Sequence, residues 1–88
     1  MKLIIAIIPD EENDRISNQL TANEFRVTCI ASTGGFLRSG RSTLLIGTDE
    51  SRVEQALEIL RTECGQGRPE REKKAVAMVV NVNSFKQL

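Results

Sequence analysis

The chain has 88 residues, of which 12 are basic and 12 acidic, so its formal net charge at pH 7 is zero. This length allows one domain with a modest core, and a balanced charge gives no basic field of the kind that binds DNA or RNA. Histidine is absent and only two cysteines occur. Histidine catalysis is therefore excluded, and a zinc site or a disulfide framework is not expected.

The first predicted element is a central strand over Leu3–Ile8, buried on both faces, which Pro9 ends. A short apolar run at the N-terminus is also a feature of signal peptides, but here acidic residues follow at once in place of a small-residue cleavage site. No segment approaches the ~20 apolar residues of a membrane span. We therefore expect a cytoplasmic protein with reduced thiols.

A thin apolar stripe predicts an amphipathic helix over Asp10–Asn23, with Asp10 as its N-cap in preference to Asn13. The next segment alternates and predicts a strand over Phe25–Ala31. One face of this strand carries Phe25, Val27, Cys29 and Ala31, and the other carries Arg26, Thr28 and Ile30. On this pattern Cys29 is a core thiol.

The segment Ser32–Ser42 combines three glycines, two arginines and four hydroxyl side chains with Phe36 and Leu37. Glycine amides in such a turn can form a concave anion site, whereas the plainer interpretation is a simple connection between strands. The run Gly35–Ser42 is one residue away from the phosphate-loop pattern G-x-x-x-x-G-K-[ST]. We reject a phosphate loop because a helix must follow it, whereas Thr43–Ile46 predicts a strand.

The clearest helical periodicity runs over Asp49–Cys64, with Asp49 offering an N-cap and Gly65 a C-cap. Cys64 closes the apolar stripe of this helix and is expected in the core. A charged linker, Gln66–Lys74, leads to a last strand over Ala75–Val82 and a short tail.

The resulting order β-α-β-β-α-β predicts an α+β, ferredoxin-like sandwich over residues 1–88, with two helices on one face of a four-stranded antiparallel sheet. The other face must be wet or covered by another subunit. We expect Ile30, Ala77 and Val79 on it, which favours a subunit interface. The sequence shows no acid–base pair or activated nucleophile, so we expect neither an enzyme nor a bound metal or cofactor.

Two residues of the first alternating strand extend the polar character of the glycine-rich segment. Arg26 can bind phosphate oxygens with both guanidinium nitrogens, and Thr28 offers a donor and an acceptor to a base or ribose. Arg41, one of the two arginines in Ser32–Ser42, is a further candidate ligand-binding residue.

Several stretches of the chain resemble the PII-like cyclic di-AMP receptors of Gram-positive bacteria. The most specific are Phe25-Arg26-x-Thr28 and, at its proper distance, Ala31–Gly40 with its Thr-Gly-Gly-Phe-Leu run. The N-terminal Met1–Ile7, the helix around Val53–Ile59 and the end Asn81–Leu88 look similar too. The likeness covers residues 1–65 and 75–88.

The resemblance implies a homotrimer of ferredoxin-like subunits that holds a cyclic dinucleotide in clefts between neighbours and signals to a regulatory protein by reshaping loops. By matching position, it implies ligand contacts from Arg26, Thr28, Gly35, Phe36, Leu37, Gly47 and Gln87.

Three departures from the family pattern leave an alternative open. The family's long loop before the last strand is replaced by Gly65–Lys74, and Glu24 and Arg41 stand where Asn is expected. Glu24 brings a carboxylate towards a dianionic ligand. The alternative function is a nucleotide-independent protein-interaction module of the same fold. The sequence leaves open which nucleotide is bound and which protein responds.

Overall fold

The computed structural model describes residues 1–33, 40–64 and 75–83. These residues form the strands β1 (Lys2–Pro9), β2 (Arg26–Thr33), β3 (Arg41–Thr48) and β4 (Val76–Asn81), and the helices α1 (Asn13–Ala22) and α2 (Val53–Glu63). A single turn of 3-10 helix leads into each α-helix, over Asp10–Glu12 and Glu50–Arg52.

The four strands form one sheet in the order β2-β3-β1-β4, and every neighbouring pair is antiparallel. This arrangement confirms the predicted ferredoxin-like, α+β fold. The glycine-rich segment is followed by a strand that begins at Arg41, and the context that a phosphate loop needs is therefore missing.

One face of the sheet, which we call the covered face, packs against both helices. Every second residue of the two central strands is buried there, since side chains alternate between the faces of a strand. The buried strand residues are Ile4, Ala6, Ile8, Leu44 and Ile46, and the buried helix residues are Ile16, Leu20, Ala56 and Leu60. Burying one such large aliphatic side chain stabilises the fold by about 1.5–3 kcal/mol.

The opposite face, which we call the open face, carries the alternate residues of the same strands, and neither α1 nor α2 lies on it. Because no helix of the described residues covers this side, β1 is fully buried on one face only, and the prediction that it is buried on both faces is wrong. In register on it are three pairs of apolar residues from β1 and β4, namely Leu3 with Val80, Ile5 with Met78 and Ile7 with Val76. The β4 members are 41%, 46% and 54% exposed. The described part of the chain thus presents a broad apolar surface.

The prediction that Ala77 and Val79 lie on the open face is wrong. Ala77 is in register with Ala6 and Val79 with Ile4, and both partners belong to the covered face. Because nearly all of β4 is apolar, its sequence does not indicate which of its two faces turns inward. Both residues nevertheless remain exposed at the sheet edge.

The second strand departs from its predicted alternation beyond Cys29. The register with β3 shifts between Cys29 and Ala31, so that Ala31 pairs with Thr43 and Ile30 lies in the irregularity. Cys29 is in register with the buried Leu44 but is itself exposed. The prediction of a core thiol at this position is wrong because β2 is an edge strand and the helices cover the central strands more completely.

The predicted capping role of Asp10 is also wrong. The α-helix begins only at Asn13, and no side-chain hydrogen bond caps the preceding turn. Instead, the carboxylate of Asp10 accepts a hydrogen bond from Ser42 Oγ, and its backbone N–H donates to the carbonyl of Gly40 at 3.0 Å. These bonds tie the end of β1 to the start of β3.

Candidate functional site

Arg26 and Gly47 lie directly opposite each other at one end of the β2–β3 pair. Both belong to the open face, since Gly47 alternates with the buried Ile46. Glycine leaves the surface beside Arg26 as bare backbone. A Cβ on Gly47 would come 3.2 Å from Met1 Cε, which is the tip of a flexible side chain. No other atom of residues 1–33, 40–64 and 75–83 outside its chain neighbours lies within 4 Å of that Cβ position.

Thr28 lies two residues further along β2, opposite Leu45, on the same face. Arg26 and Thr28 are both exposed, and two strand residues span about 7 Å. The structure therefore brings together a guanidinium with five N–H donors, a hydroxyl that both donates and accepts, and a stretch of approachable backbone. This combination suits a phosphorylated ligand that carries a sugar or a base.

Arg41 lies at the other end of β3, opposite Pro9 and Thr33. It lies six positions before Gly47, which corresponds to about 20 Å along a strand. Within one chain, the structure does not bring Arg41 together with Arg26.

The remaining candidates, Gly35, Phe36, Leu37 and Gln87, lie outside the described residues. The first three belong to a segment joined to the described chain at Thr33 and Gly40, the end of the sheet where Arg41 lies. Gln87 belongs to a tail that leaves β4 at the opposite end, where the N–H of Val82 donates to the Met1 carbonyl at 3.0 Å. Among the described candidates, Arg26 and Gly47 lie at one end of the sheet and Arg41 lies at the other.

The chain enters β2 through a tight helix-to-strand corner. The N–H of Glu24 donates to the Thr21 carbonyl at 2.9 Å, and the N–H of Phe25 to the Leu20 carbonyl at 3.0 Å. Glu24 has a φ of 67°, the left-handed conformation that this type of helix end requires and that Gly or Asn adopts most readily. The corner ends immediately before Arg26, so it sets the direction from which that side chain projects.

Sequence reasoning missed Arg52, which holds this corner from the other side of the strand. Its Nη2 donates to the Asn23 carbonyl at 2.7 Å and to Gln55 Oε1 at 3.3 Å. Its Cζ lies 4.1 Å from the centroid of the Phe25 ring, a cation–π distance. No local sequence pattern indicates the contacts with Asn23 and Phe25, since they join residues far apart in the chain.

A second polar cluster joins the two helices on the covered side. Arg15 pairs with Glu12 at 3.1 Å and with Glu63 at 3.2 Å. Burial, followed by the nearby Glu12 carboxylate, raises the pKa of the Cys64 thiol from 9.0 to about 11. The prediction of Cys64 as a core thiol is confirmed by its burial.

Beside Cys64 lies a cavity of about 420 Å³ between the end of α2 and the inner side of β4, with Leu57 and Ala77 in its wall. None of the candidate ligand residues that the structure describes lines this cavity. Within residues 1–33, 40–64 and 75–83, no three His, Cys, Asp or Glu side chains are grouped so that they could hold a metal ion. Neither described helix has the length and apolar character to cross a membrane.

Two comparisons with known proteins bear on this arrangement. A protein-family model described as "Cyclic-di-AMP receptor" matches residues 1–88. The chain is also similar to a solved structure titled "The crystal structure of a functionally unknown protein from Pediococcus pentosaceus ATCC 25745". That likeness has a TM-score of 0.78 at 29% sequence identity and covers 99% of this chain and 96% of the other.

Proposed function

The chain belongs to the cyclic-di-AMP receptor family, and from this premise we propose that it is a cytoplasmic sensor, a single domain over residues 1–88 that binds cyclic di-AMP between the subunits of a homotrimer. Its output is a change in the binding of a regulatory protein, not catalysis. The observation that carries the proposal is the grouping of Arg26, Thr28 and Gly47 on the open face.

Each of these three residues has a role that follows from its chemistry. The Arg26 guanidinium binds one phosphate of the dinucleotide through paired charge-assisted hydrogen bonds. Thr28 hydrogen-bonds the adjoining ribose or adenine. Gly47 lets the ligand approach the strand backbone closely, because it has no Cβ to hold the ligand away. Gly35, Phe36, Leu37, Arg41 and Gln87 complete the proposed set.

The open face supports a site that is shared between subunits. Val76, Met78 and Val80 expose apolar surface that an isolated subunit leaves in water, and a contiguous patch of this kind commonly marks an interface. Arg26 and Thr28 lie on the same face, towards its β2 edge. A neighbouring subunit on this face therefore shelters the ligand from solvent and strengthens its ion pair with Arg26.

Calorimetric titration tests the ligand assignment, using cyclic di-AMP, cyclic di-GMP, ATP and AMP in turn. We expect cyclic di-AMP to bind, and Arg26→Ala to weaken its binding by about 1.5–3 kcal/mol through the loss of charge-assisted hydrogen bonds. The matched control is Arg61→Ala on α2, which removes an exposed arginine that pairs with Glu58 and should leave the affinity unchanged. If no nucleotide gives heat at millimolar concentration, the sensor proposal fails and the interaction-module alternative takes its place.

Native mass spectrometry tests the assembly. We expect a trimer for the natural chain and monomers for Met78→Asp, because a carboxylate buried at an apolar interface costs several kcal/mol. Thr62→Asp, which adds the same charge at an exposed position of α2, should leave the trimer intact. A natural chain that stays monomeric at micromolar concentration would contradict the assembly.

A further inference from the structure

Arg26 begins an edge strand, so only one neighbouring strand holds it in place. Its backbone is fixed on the inner side by pairing with Gly47 and on the chain side by the corner that ends at Phe25. The direction in which the Arg26 side chain projects therefore depends on how firmly this corner is held against the end of β3.

Arg52 makes the link between these two parts. It lies in the short turn after β3, five residues beyond Gly47, and its guanidinium reaches back to the Asn23 carbonyl and the Phe25 ring. The result is a closed ring of contacts. Arg26 pairs with Gly47, the chain continues from Gly47 to Arg52, and Arg52 contacts the corner that precedes Arg26.

The Phe25 ring points to the covered side and is only 4% exposed, whereas the next residue, Arg26, belongs to the open face. Consecutive residues entering a strand point in opposite directions. Arg52 packs on Phe25 and thus acts from the side of the sheet opposite the ligand, without touching the ligand itself.

We propose that Arg52 is a positioning residue, which fixes the Asn23–Phe25 corner against the turn after β3 and thereby orients the Arg26 side chain towards the nucleotide phosphate. The inference rests on the proposed function and deepens it. A planar guanidinium can stack on a ring and donate to a carbonyl at the same time, which a lysine ammonium cannot do with the same geometry.

The test is a double-mutant cycle on the full chain with cyclic di-AMP as the probe. Arg52→Met keeps the aliphatic stem but removes the charge and the donors, and we expect about tenfold weaker binding. Arg52→Lys should recover part of the loss. Arg61→Met, on the adjoining helix α2, is the matched control and should change the affinity by less than about twofold.

The cycle separates positioning from general stabilisation. If Arg52 acts through Arg26, Arg52→Met should have almost no further effect on affinity in the Arg26→Ala background, because coupled residues are not additive. A merely structural role predicts the same tenfold loss in both backgrounds, which would overturn the inference. All titrations are run at a temperature where circular dichroism shows every variant folded.

Hydrogen exchange supplies a readout that needs no ligand. In the Arg52→Met variant the amide of Phe25, which donates to Leu20, should exchange faster, and in Arg61→Met it should not. Unchanged protection would overturn the inference. If the natural chain binds and Arg26→Ala weakens it while Arg52→Met does not, the positioning role alone fails. If the natural chain does not bind, both the proposed function and this role fail.

Discussion

The two faces of the sheet are made by neighbouring residues of the same strands, yet they differ in what determines them. Leu44 is completely buried against the helices, whereas Leu45, the next residue, faces the open side and is half-buried. On the covered face, packing within one chain accounts for the residues present. On the open face, a charged residue, a hydroxyl and a glycine lie towards the β2 edge, and exposed valines and a methionine lie on β4 at the other edge. Packing among the described residues of one chain explains none of them.

This difference teaches where to look for function in a small domain. Exposed apolar side chains contribute little to the stability of the chain that carries them, since the hydrophobic effect rewards only surface removed from water. The residues of such a face are therefore explained by the molecule that binds over them. Here the candidate ligand residues Arg26, Thr28 and Gly47 lie on that face, so the proposed assembly and the proposed ligand site share one face of the sheet.

The largest difference between the two faces is expected when the two neighbouring leucines of β3 are truncated one at a time. Leu44→Ala should lower the free energy of unfolding by about 2–5 kcal/mol, because it opens a cavity in the packed core. Leu45→Ala should cost less, and its loss should depend on protein concentration, since it weakens association and not the subunit core. Urea denaturation at two protein concentrations measures both. Equal, concentration-independent losses would show that the two faces do not differ in this way.

The reactivities of the two thiols test how much of the covered face the helices shield from solvent. Cys29 is exposed and Cys64 buried, and burial raises the pKa of Cys64 from 9.0 to about 11, which lowers its thiolate fraction ~100-fold. Ellman's reagent at pH 8 should modify Cys29 quickly and Cys64 slowly, and Cys29→Ser should leave only the slow phase. Two fast phases in the folded protein would contradict the burial of Cys64.

The same raised pKa gives a dependence of stability on pH. The unfolded chain ionises Cys64 near pH 9.0, while the folded chain holds the proton until about pH 11. The contribution of Cys64 to stability is therefore fully present below pH 9.0 and lost as the pH rises towards 11. Cys64→Ala should remove this part of the decline.

The smallest effect is expected at the corner before Arg26. Glu24→Asn should raise the free energy of unfolding by about 0.4–1 kcal/mol, because Asn adopts the left-handed conformation with less strain. The same change at Glu54, an exposed position in the first turn of α2, should instead lower stability, since Asn is the poorer helix former. Thermal melts of both variants decide the matter, and a loss in the Glu24 variant would show that its conformation carries no strain.

Much of the fold was predictable because it follows from local patterns. The continuous apolar run of β1 and the periodicity of three to four in α2 gave the correct element types and order, and the strand at Thr43–Ile46 correctly ruled out a phosphate loop. Errors arose where a partner elsewhere in the chain decides the outcome. Asp10 bonds Ser42 instead of capping a helix, and Cys29 is exposed because its strand lies at the sheet edge.

The same distinction between local patterns and distant contacts applies to the candidate site. Alternation along β2 was enough to place Arg26 and Thr28 on the side opposite Phe25, and the resemblance to a receptor family selected Gly47. That Gly47 pairs directly with Arg26 is a property of the strand register. The role of Arg52 at the Asn23–Phe25 corner has no sequence signature, since an arginine in the turn before a helix is ordinarily a solvated side chain.

The order of helices and strands and the chemistry of the ligand candidates followed from the sequence, because each depends on residues close together in the chain. The tertiary structure was needed to show that β1 and β3 fully bury one face only, which face of the apolar β4 turns inward, at which end of the sheet Arg26, Gly47 and Arg41 lie, and which contacts hold the corner before Arg26. These depend on strand pairing and on contacts such as Arg52 with Phe25, which distant segments make only when they fold together.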